Sequence, residues 1–426
     1  MNEILMARES RSLLVKEIHR GFPLLVIKAN TPGTNKNSPQ AFFLVDYFSE
    51  IVKEKFPVSK AEFFHSADGP FWLLEFSERK NYKANFIDIE DKHPLGRLID
   101  LDFYFNPIKS ESRLDLNFKP RKCLICSDVA LHCVRSQKHS LEELNQKIRR
   151  IILEFLLENI RPLIDEAITM EAQLDPKFGL VTKVSSGSHP DMDYSLLMRA
   201  KTIIIGPLLE MFALGYQEDL LPAFQKARLI GLEAEAKMYQ ATNNVNVYKG
   251  LIFVFGIVLV ALGNSLSNYS FDIFSRVKQI GVEVEKDFSN LSESTSGMKA
   301  YLEYGIKGIR GEVINALPNV RKALETLNDF SRETLLMTLI GLIRDVEDTV
   351  LLKRAESLDR YLYYRKLIGS ITNFDEERIK EITRECIENN LSFGGSADLL
   401  IVTIFLKKVE GCLKLNYESD LSDWSL

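Results

Sequence analysis

No uninterrupted apolar run in this sequence reads as long enough to cross a bilayer. The longest run, Leu251 to Gly263, falls short of the roughly twenty residues that a membrane demands, and it is read as a buried helix. The first ten residues, MNEILMARES, have no apolar core of the kind a signal peptide needs, so a cytoplasmic protein with no membrane partner is expected. Charge of one sign is also lacking. A formal net charge of −5 gives no electrostatic case for nucleic acid or anionic lipid. Cysteine is sparse and odd in number, five in all, which argues against a disulfide framework. Gly/Ser linkers, internal repeats and low-complexity tracts are missing too.

What is present is the composition of a globular protein, 46% hydrophobic and 27% charged. At 426 residues one ordinary core does not suffice, and two domains are expected. Up to about residue 140 the pattern mixes helix and strand. Arg8 to His19 reads as helix, Pro23 to Ala29 as a continuous apolar strand, Asn30 to Gln40 as loop, Ala41 to Lys53 as helix and Phe71 to Phe76 as strand. Asn85 to Glu90 alternates, with Ile87 and Ile89 against Asp88 and Glu90. It is read as a strand that turns back to pair with the next one. From Leu141 the period becomes helical. Ser140 ahead of Glu142 and Glu143 suits a helix start, and Pro162 is expected to break or kink that helix.

The segment His93 to Asp102, HPLGRLIDLD, organises the first part. Ile99, Leu101 and Phe103 alternate with Asp100 and Asp102, so a strand has an apolar back and two carboxylates in front. Pro94 and Gly96 make the turn that feeds it. Adjacent carboxylates repel, and a divalent ion relieves the repulsion. Mg²⁺ favours such ligands together with substrate phosphates. The reading is a metal-assisted phosphoryl or nucleotidyl transfer site, against the plainer one of a solvated acidic face. Further on, Cys123, Cys126 and Cys133 cluster near His132 and His139. Zinc or a turn with packed thiols both fit, since no second closely spaced ligand pair completes the set.

HPLGRLIDLD, with TPGTNKNS before it and RKCLICSDVALHCVRSQKHS after it, resembles the holo-citrate lyase synthases. These are phosphoribosyl-dephospho-CoA transferases that load a prosthetic group onto the acyl-carrier (γ) subunit of citrate lyase. The resemblance implies a nucleotidyltransferase-like domain. In it Asp100 and Asp102 hold Mg²⁺, with Glu90 as a third ligand, and Arg97 and Lys36 contact phosphates beside Gly96.

The helical part carries five polar islands. In DPKFGLVTKVSSGSHPDMD, Gly187, Ser188 and His189 precede Pro190, which suits a first helical position with free N–H groups for an anion. Lys177 and Lys183 add charge, and His189, Asp191 and Asp193 form a cluster suited to Mg²⁺. The others are TNNVNVYKG, with Asn246 and Lys249; GIRGEVINALP, with Arg310 and Glu312; DVEDTVLLKR, with Asp348; and NLSFGGSADLL, where Gly394, Gly395 and Ser396 open a helix that carries Asp398. Each alone reads as a charged helix cap. Together they suit one phosphate-rich pocket.

In order, these islands resemble the triphosphoribosyl-dephospho-CoA synthases. The resemblance implies that ATP and 3′-dephospho-CoA are joined with loss of adenine. Arg310, Lys177 and Lys249 are then candidates for triphosphate contacts, and Asp191, Asp348 and Glu312 for Mg²⁺ or for the base. The sequence departs from the family pattern at Thr182, Ser185, Asn244, Val247, Tyr248 (where the family has His), Val350, Ala355 and Glu356. Expected overall is a multidomain chain. An α+β nucleotidyltransferase-like transferase spans residues 1–143 and an all-α synthase spans residues 144–426. The alternative is a helical domain reduced to a binding module.

Overall fold

The computed structural model describes residues 2–270, 272–289 and 296–413. It forms two compact units that divide between Glu158 and Asn159.

The first unit contains α1 (Asn2–Ile18), β1 (Leu24–Ala29), α2 (Pro39–Lys55), β2 (Val58–Ser66), β3 (Gly69–Phe76), α3 (Lys83–Lys92), β4 (Ile99–Tyr104), α4 (Ala130–Arg135) and the start of α5 (Leu141–Gln173). The sheet is antiparallel in the order β2-β3-β1-β4. LLVI makes β1 a central strand because both of its faces are covered. Val15 of α1 packs with Leu24, Val26, Phe71 and Leu73 on one face. On the other, α2 and α3 meet the sheet, where Phe86, Phe76 and Phe103 join edge to face or tilted. Ser38 caps α2 through the Ala41 N–H, with Pro39 in the first turn.

Three readings of the sequence need correction. The segment Asn85 to Glu90 is helix, within α3, and the strand antiparallel to β4 is β1. Six residues cannot separate the two periods by alternation alone. The buried positions Lys83, Phe86, Ile87 and Glu90 follow helical spacing. Strand β2 was not foreseen; its half-exposed edge has little pattern. Pro162 does not end α5, which runs through it to Gln173. The start of α5 is a capping box: Glu143 N–H donates to Ser140 Oγ at 3.1 Å and Ser140 N–H to Glu143 Oε2 at 2.8 Å.

The second unit is helical. After α5 come α6 (Tyr194–Gln217), α7 (Leu220–Ala241), α8 (Lys249–Asn268), α9 (Ile273–Glu285), α10 (Ser296–Tyr304), α11 (Ile309–Ile314), α12 (Pro318–Thr326), α13 (Arg332–Asp345), α14 (Thr349–Ala355), α15 (Leu358–Gly369), α16 (Glu376–Glu388) and α17 (Gly394–Leu413). The apolar run lies in α8, which extends to 20 residues with a mean hydropathy of 2.1. By length and composition α8 passes for a membrane span. However, 89% of that window is buried, packed by α6, α7, α9 and α17, which marks it as the core helix. Pro190 does not open a helix: α6 starts at Tyr194, and its cap is Asp193, whose Oδ1 accepts from the Leu196 N–H at 2.8 Å.

Candidate active sites

In the first unit the period of β4 places Asp100, Asp102 and Tyr104 on the face opposite Ile99, Leu101 and Phe103, which are buried. Across the ladder Asp100 faces Lys28 and Asp102 faces Val26. The acids therefore stand together, but they differ. Asp100 is ion-paired with Arg121, and the same guanidinium pairs with Glu90. Asp102 has no ion pair among the described residues. Burial and then the neighbouring Asp100 raise its carboxyl, against the pull of Lys28, Lys83 and Arg11. Glu90 is buried on α3. Its Oε1 also accepts from the Leu101 N–H at 2.9 Å, so its position beside the pair serves Arg121 and the strand backbone. Asp88 faces Lys92 instead.

Cations surround the acids. Lys83 is buried and donates to the Leu101 carbonyl at 2.8 Å; burial lowers its amine. Lys36 donates to the Thr31 carbonyl, and burial lowers it as well, opposed by Asp68 and, more weakly, by Asp100. Asp68 collects Arg8 at 3.0 Å, Arg11 at 2.8 Å and Lys28 at 3.5 Å. Burial would raise its carboxyl, yet the Arg11 hydrogen bond and the charge of Lys28 outweigh burial and lower it. Arg97 donates to the Lys122 carbonyl. It borders a cavity of about 280 Å³ with Pro94, Cys123, Leu124 and Glu154, to which neither Asp100 nor Asp102 contributes. Gly96 acts by close packing, since a Cβ there would lie 2.5 Å from the Glu90 carbonyl. The face thus holds two carboxylates with Lys28, Lys83, Arg11 and Arg121 as their cationic neighbours.

The helical unit has a cavity of about 1240 Å³. Of the residues singled out in the sequence, His189, Asp191, Lys177, Asn246, Lys249, Arg310, Gly394, Gly395 and Asp398 line it. Asp398 is a desolvated lining acid with no ion pair among the described residues. It projects from α17 beside Gly250, where a Cβ would fall 2.3 Å from its Oδ2, so the backbone of the Tyr248–Lys249–Gly250 turn must pass close. Burial pushes the Asp398 carboxyl well above its ordinary value, with Asp348 and Glu171 adding to the effect. Lys177 lines the cavity but is held by Glu171, with Nζ donating at 2.6 Å to Oε1 and at 2.7 Å to the carbonyl. Lys249 pairs with Glu235. Arg310 stacks over Phe253 at 5.5 Å.

His189 sits between two donor-capable neighbours. Arg354 Nη2 lies 3.0 Å from Nδ1, and Ser392 Oγ lies 2.9 Å from Nε2. Arginine only donates, so Nδ1 accepts and Nε2 carries the proton toward Ser392. Burial, then Arg354, lowers the ring to about 4, and it is neutral at pH 7. The other arm of Arg354 donates to the Ser188 carbonyl at 2.9 Å and to the Asn390 carbonyl at 3.1 Å.

Seven of the selected residues stand outside the cavity lining: Lys183, Gly187, Ser188, Asp193, Glu312, Asp348 and Ser396. Asp348 caps α14 through the Val350 and Leu351 N–H groups and takes the Ser396 N–H at 2.9 Å. The Ser396 N–H is therefore not free for an anion. Glu312 accepts from Asn319 Nδ2 at 2.6 Å, and Ser188 donates to the Cys386 carbonyl at 3.3 Å. The sequence reading missed Glu171, Glu235 and Arg354 as lining groups. Glu171 is one acid among many on α5, and nothing in its surroundings marks it. Tyr248 was noted only as a departure; its hydroxyl is buried and unpartnered among the described residues.

Comparison with known proteins matches this division. Residues 1–155 match the family model of apo-citrate lyase phosphoribosyl-dephospho-CoA transferase, and residues 157–416 that of ATP:dephospho-CoA triphosphoribosyl transferase. The chain belongs to both families, fused in one polypeptide. The protein named CitXG of Leuconostoc mesenteroides subsp. cremoris is 31% identical over 96% of this chain and 97% of its own length. The CitXG protein of Haemophilus influenzae is 30% identical over 96% of each. The 2-(5′′-triphosphoribosyl)-3′-dephosphocoenzyme-A synthase of Haemophilus ducreyi is 31% identical over 68% of this chain and all of its own length. The chain is a bifunctional transferase, and the reading of the helical part as a degenerate binding module finds no support.

Proposed function

We propose that the helical cavity joins ATP to 3′-dephospho-CoA and that the sheet unit passes the product to a serine of the citrate lyase acyl-carrier subunit, as a nucleotidyltransferase does. In the first reaction the dephospho-CoA ribose 2′ oxygen bonds to C1 of the ATP ribose. The bond from C1 to adenine breaks, adenine leaves with the electron pair, and the hydroxyl proton is the one it finally gains. In the second, the serine oxygen bonds to the α-phosphorus, pyrophosphate leaves with the electron pair, and the serine proton is released.

The observation that carries this reading is the convergence of Asp398, Arg310, Lys249, Arg354 and neutral His189 on one cavity of about 1240 Å³. That volume exceeds the usual range of roughly 300–1,000 Å³ for a single drug-sized ligand and suits two nucleotides. Arg310, Lys249 and Lys353 are suited to the triphosphate. Asp398 is the residue assigned to proton transfer, because it is a desolvated lining acid with no ion pair among the described residues and holds its proton more firmly than a solvated carboxyl. Asp191, exposed at the rim, suits a Mg²⁺ held with the phosphates.

In the sheet unit Asp102 is suited to Mg²⁺, and Asp100 joins it only when Arg121 moves to a phosphate. Magnesium supplies charge neutralisation at the reacting phosphate. Lys28, Lys36, Arg97 and Arg121 bind and orient the anion. The test is the intact mass of purified carrier subunit after incubation with the protein, ATP, 3′-dephospho-CoA and Mg²⁺. The prosthetic-group mass gain and one free adenine per gain are expected. Adenine without mass gain, or neither, refutes the proposal.

A further inference from the structure

Residues 105–140 pose a problem of stability. Among them only Cys133 is buried. Leu131 and Val134, which flank it on α4, are 52% and 72% exposed. Regular structure is limited to α4 and one short turn of 3₁₀ helix. A segment of this length with so little apolar burial cannot offset its ordering entropy by packing. Short segments of this kind are held by cross-links or metals.

The structure brings four soft donors together in that segment. Cys123, Cys126, Cys133 and His139 place one ligand atom each within 4.8 Å of all the others. Cys126 Sγ lies 3.5 Å from Cys133 Sγ and 3.3 Å from His139 Nε2. A tetrahedral zinc with Zn–S near 2.3 Å sets its sulfurs about 3.8 Å apart, so the cluster is near the required size. The spacing is C-x₂-C-x₆-C-x₅-H. Cys123 and Cys126 form a knuckle. The Ile125 N–H points to Cys123 Sγ at 3.5 Å, and the Cys123 N–H closes the loop on the Asp128 carbonyl at 2.7 Å. Helix α4 delivers Cys133, and Gln137, at φ 48°, turns the chain so that His139 comes back.

We propose that this cluster is a structural zinc site that ties residues 121–139 into one knuckle. Three thiolates and an imidazole select Zn²⁺ over Mg²⁺ or Ca²⁺, which take oxygen ligands. Four protein ligands leave no open position, so the ion does not act on substrate. Three thiolates with Zn²⁺ carry a net charge of −1, and Lys138, next to His139, brings a positive charge close to Cys126 and Cys133.

The knuckle also reaches the transferase face. Arg121 and Lys122 directly precede Cys123. Lys122 bridges to Val129, and the Ala130 N–H donates to the Arg121 carbonyl at 2.9 Å. Arg121 holds Asp100 and Glu90, and the Lys122 carbonyl holds Arg97. Zinc is thus a positioning element for two guanidinium groups of the phosphate-binding face.

Metal analysis of the full-length protein, purified without chelator, tests this. About one zinc per chain is expected, as for other four-ligand structural sites. It is to be lost in Cys126→Ser and His139→Ala and kept in the control Cys412→Ala. Because the first two variants can fail to fold, cobalt replacement of the wild type gives a second measure. Tetrahedral thiolate coordination produces strong visible ligand-field and charge-transfer absorption. A thiol-blocking mercurial should release the ion in step with modification of three cysteines. A metal-free wild type, zinc retained by Cys126→Ser, or cobalt with the spectrum of an oxygen-ligated ion overturns the site. Removal of zinc should reduce carrier labelling and leave adenine release intact.

Discussion

The two candidate sites solve the problem of holding carboxylates in opposite ways. On the sheet, Asp100 and Asp102 are neighbours on one strand, and the surrounding Lys28, Lys83, Arg11 and Arg121 compensate them. In the helical unit Asp398 lines a cavity with no ion pair among the described residues, and its neighbouring acids raise it further. The first arrangement is charge-balanced at rest and suits an anion or metal that displaces a partner. The second keeps an acid uncompensated and so ready for proton transfer. A lost ion pair and a lost proton carrier should therefore fail differently.

The sharpest way to break the comparison is Asp398→Asn. Adenine release is expected to fall by at least ~100-fold, the low end for loss of a positioned acid or base. Carrier labelling from supplied triphosphoribosyl-dephospho-CoA should not change. Equal loss of both activities would mean that Asp398 supports the fold and not the reaction. Asp102→Asn is the mirror experiment. Carrier labelling should drop by about 100-fold, the scale of losing one electrostatic contact to the transition state, while adenine release stays within about twofold. Unchanged labelling would remove Asp102 from the site.

Arg121→Ala tests the compensation itself. Glu90 is 2% exposed, and stranding it should cost roughly 3 kcal/mol, read as an earlier unfolding transition. If Asp100 is freed for metal, the Mg²⁺ requirement for labelling shifts to lower concentration in whatever protein remains folded.

The smallest effect concerns pH, where the units behave alike. Burial lowers His93 and His189 to about 4, from an ordinary 6.5. Their folded forms prefer the neutral ring. The stabilisation is complete above pH 6.5 and falls as pH drops toward 4, because the unfolded chain takes the proton first. His189→Gln should flatten this dependence for the transition of the helical unit and leave the other transition as it was. The same slope in both proteins would show that His189 does not report on that unit.

The two sites also differ in how far they could be read from sequence. The acid pair lies within three residues of one strand, so a period of two exposed it without knowledge of the fold. The identity of its partners could not be read this way. Arg121 arrives from a segment 21 residues on, and Glu90 from a helix that six alternating residues disguised as a strand. In the helical unit the polar islands were visible because each interrupts an apolar helical pattern. What they did there was not visible. Asp348 and Glu312 look like site acids in sequence but serve as a cap and an asparagine acceptor. Asp398, one turn into an apolar helix, lines the cavity and is desolvated there. Capping and catalysis draw on the same residue types at the same helix ends, and only burial and partners distinguish them.

Arg354 has a consequence for the order in which the helical unit is made. Its one guanidinium fastens backbone at Ser188 and at Asn390, contacts separated by 166 and 36 residues. During synthesis the loop that bears Ser188 and His189 leaves the ribosome long before Arg354 or Asn390 exists. The nascent unit can collapse around its apolar helices, but it has no way to set the histidine until the final helices emerge. Nucleotide should therefore protect only finished chains from protease, and a chain stopped short of residue 390 should fold in part and bind nothing.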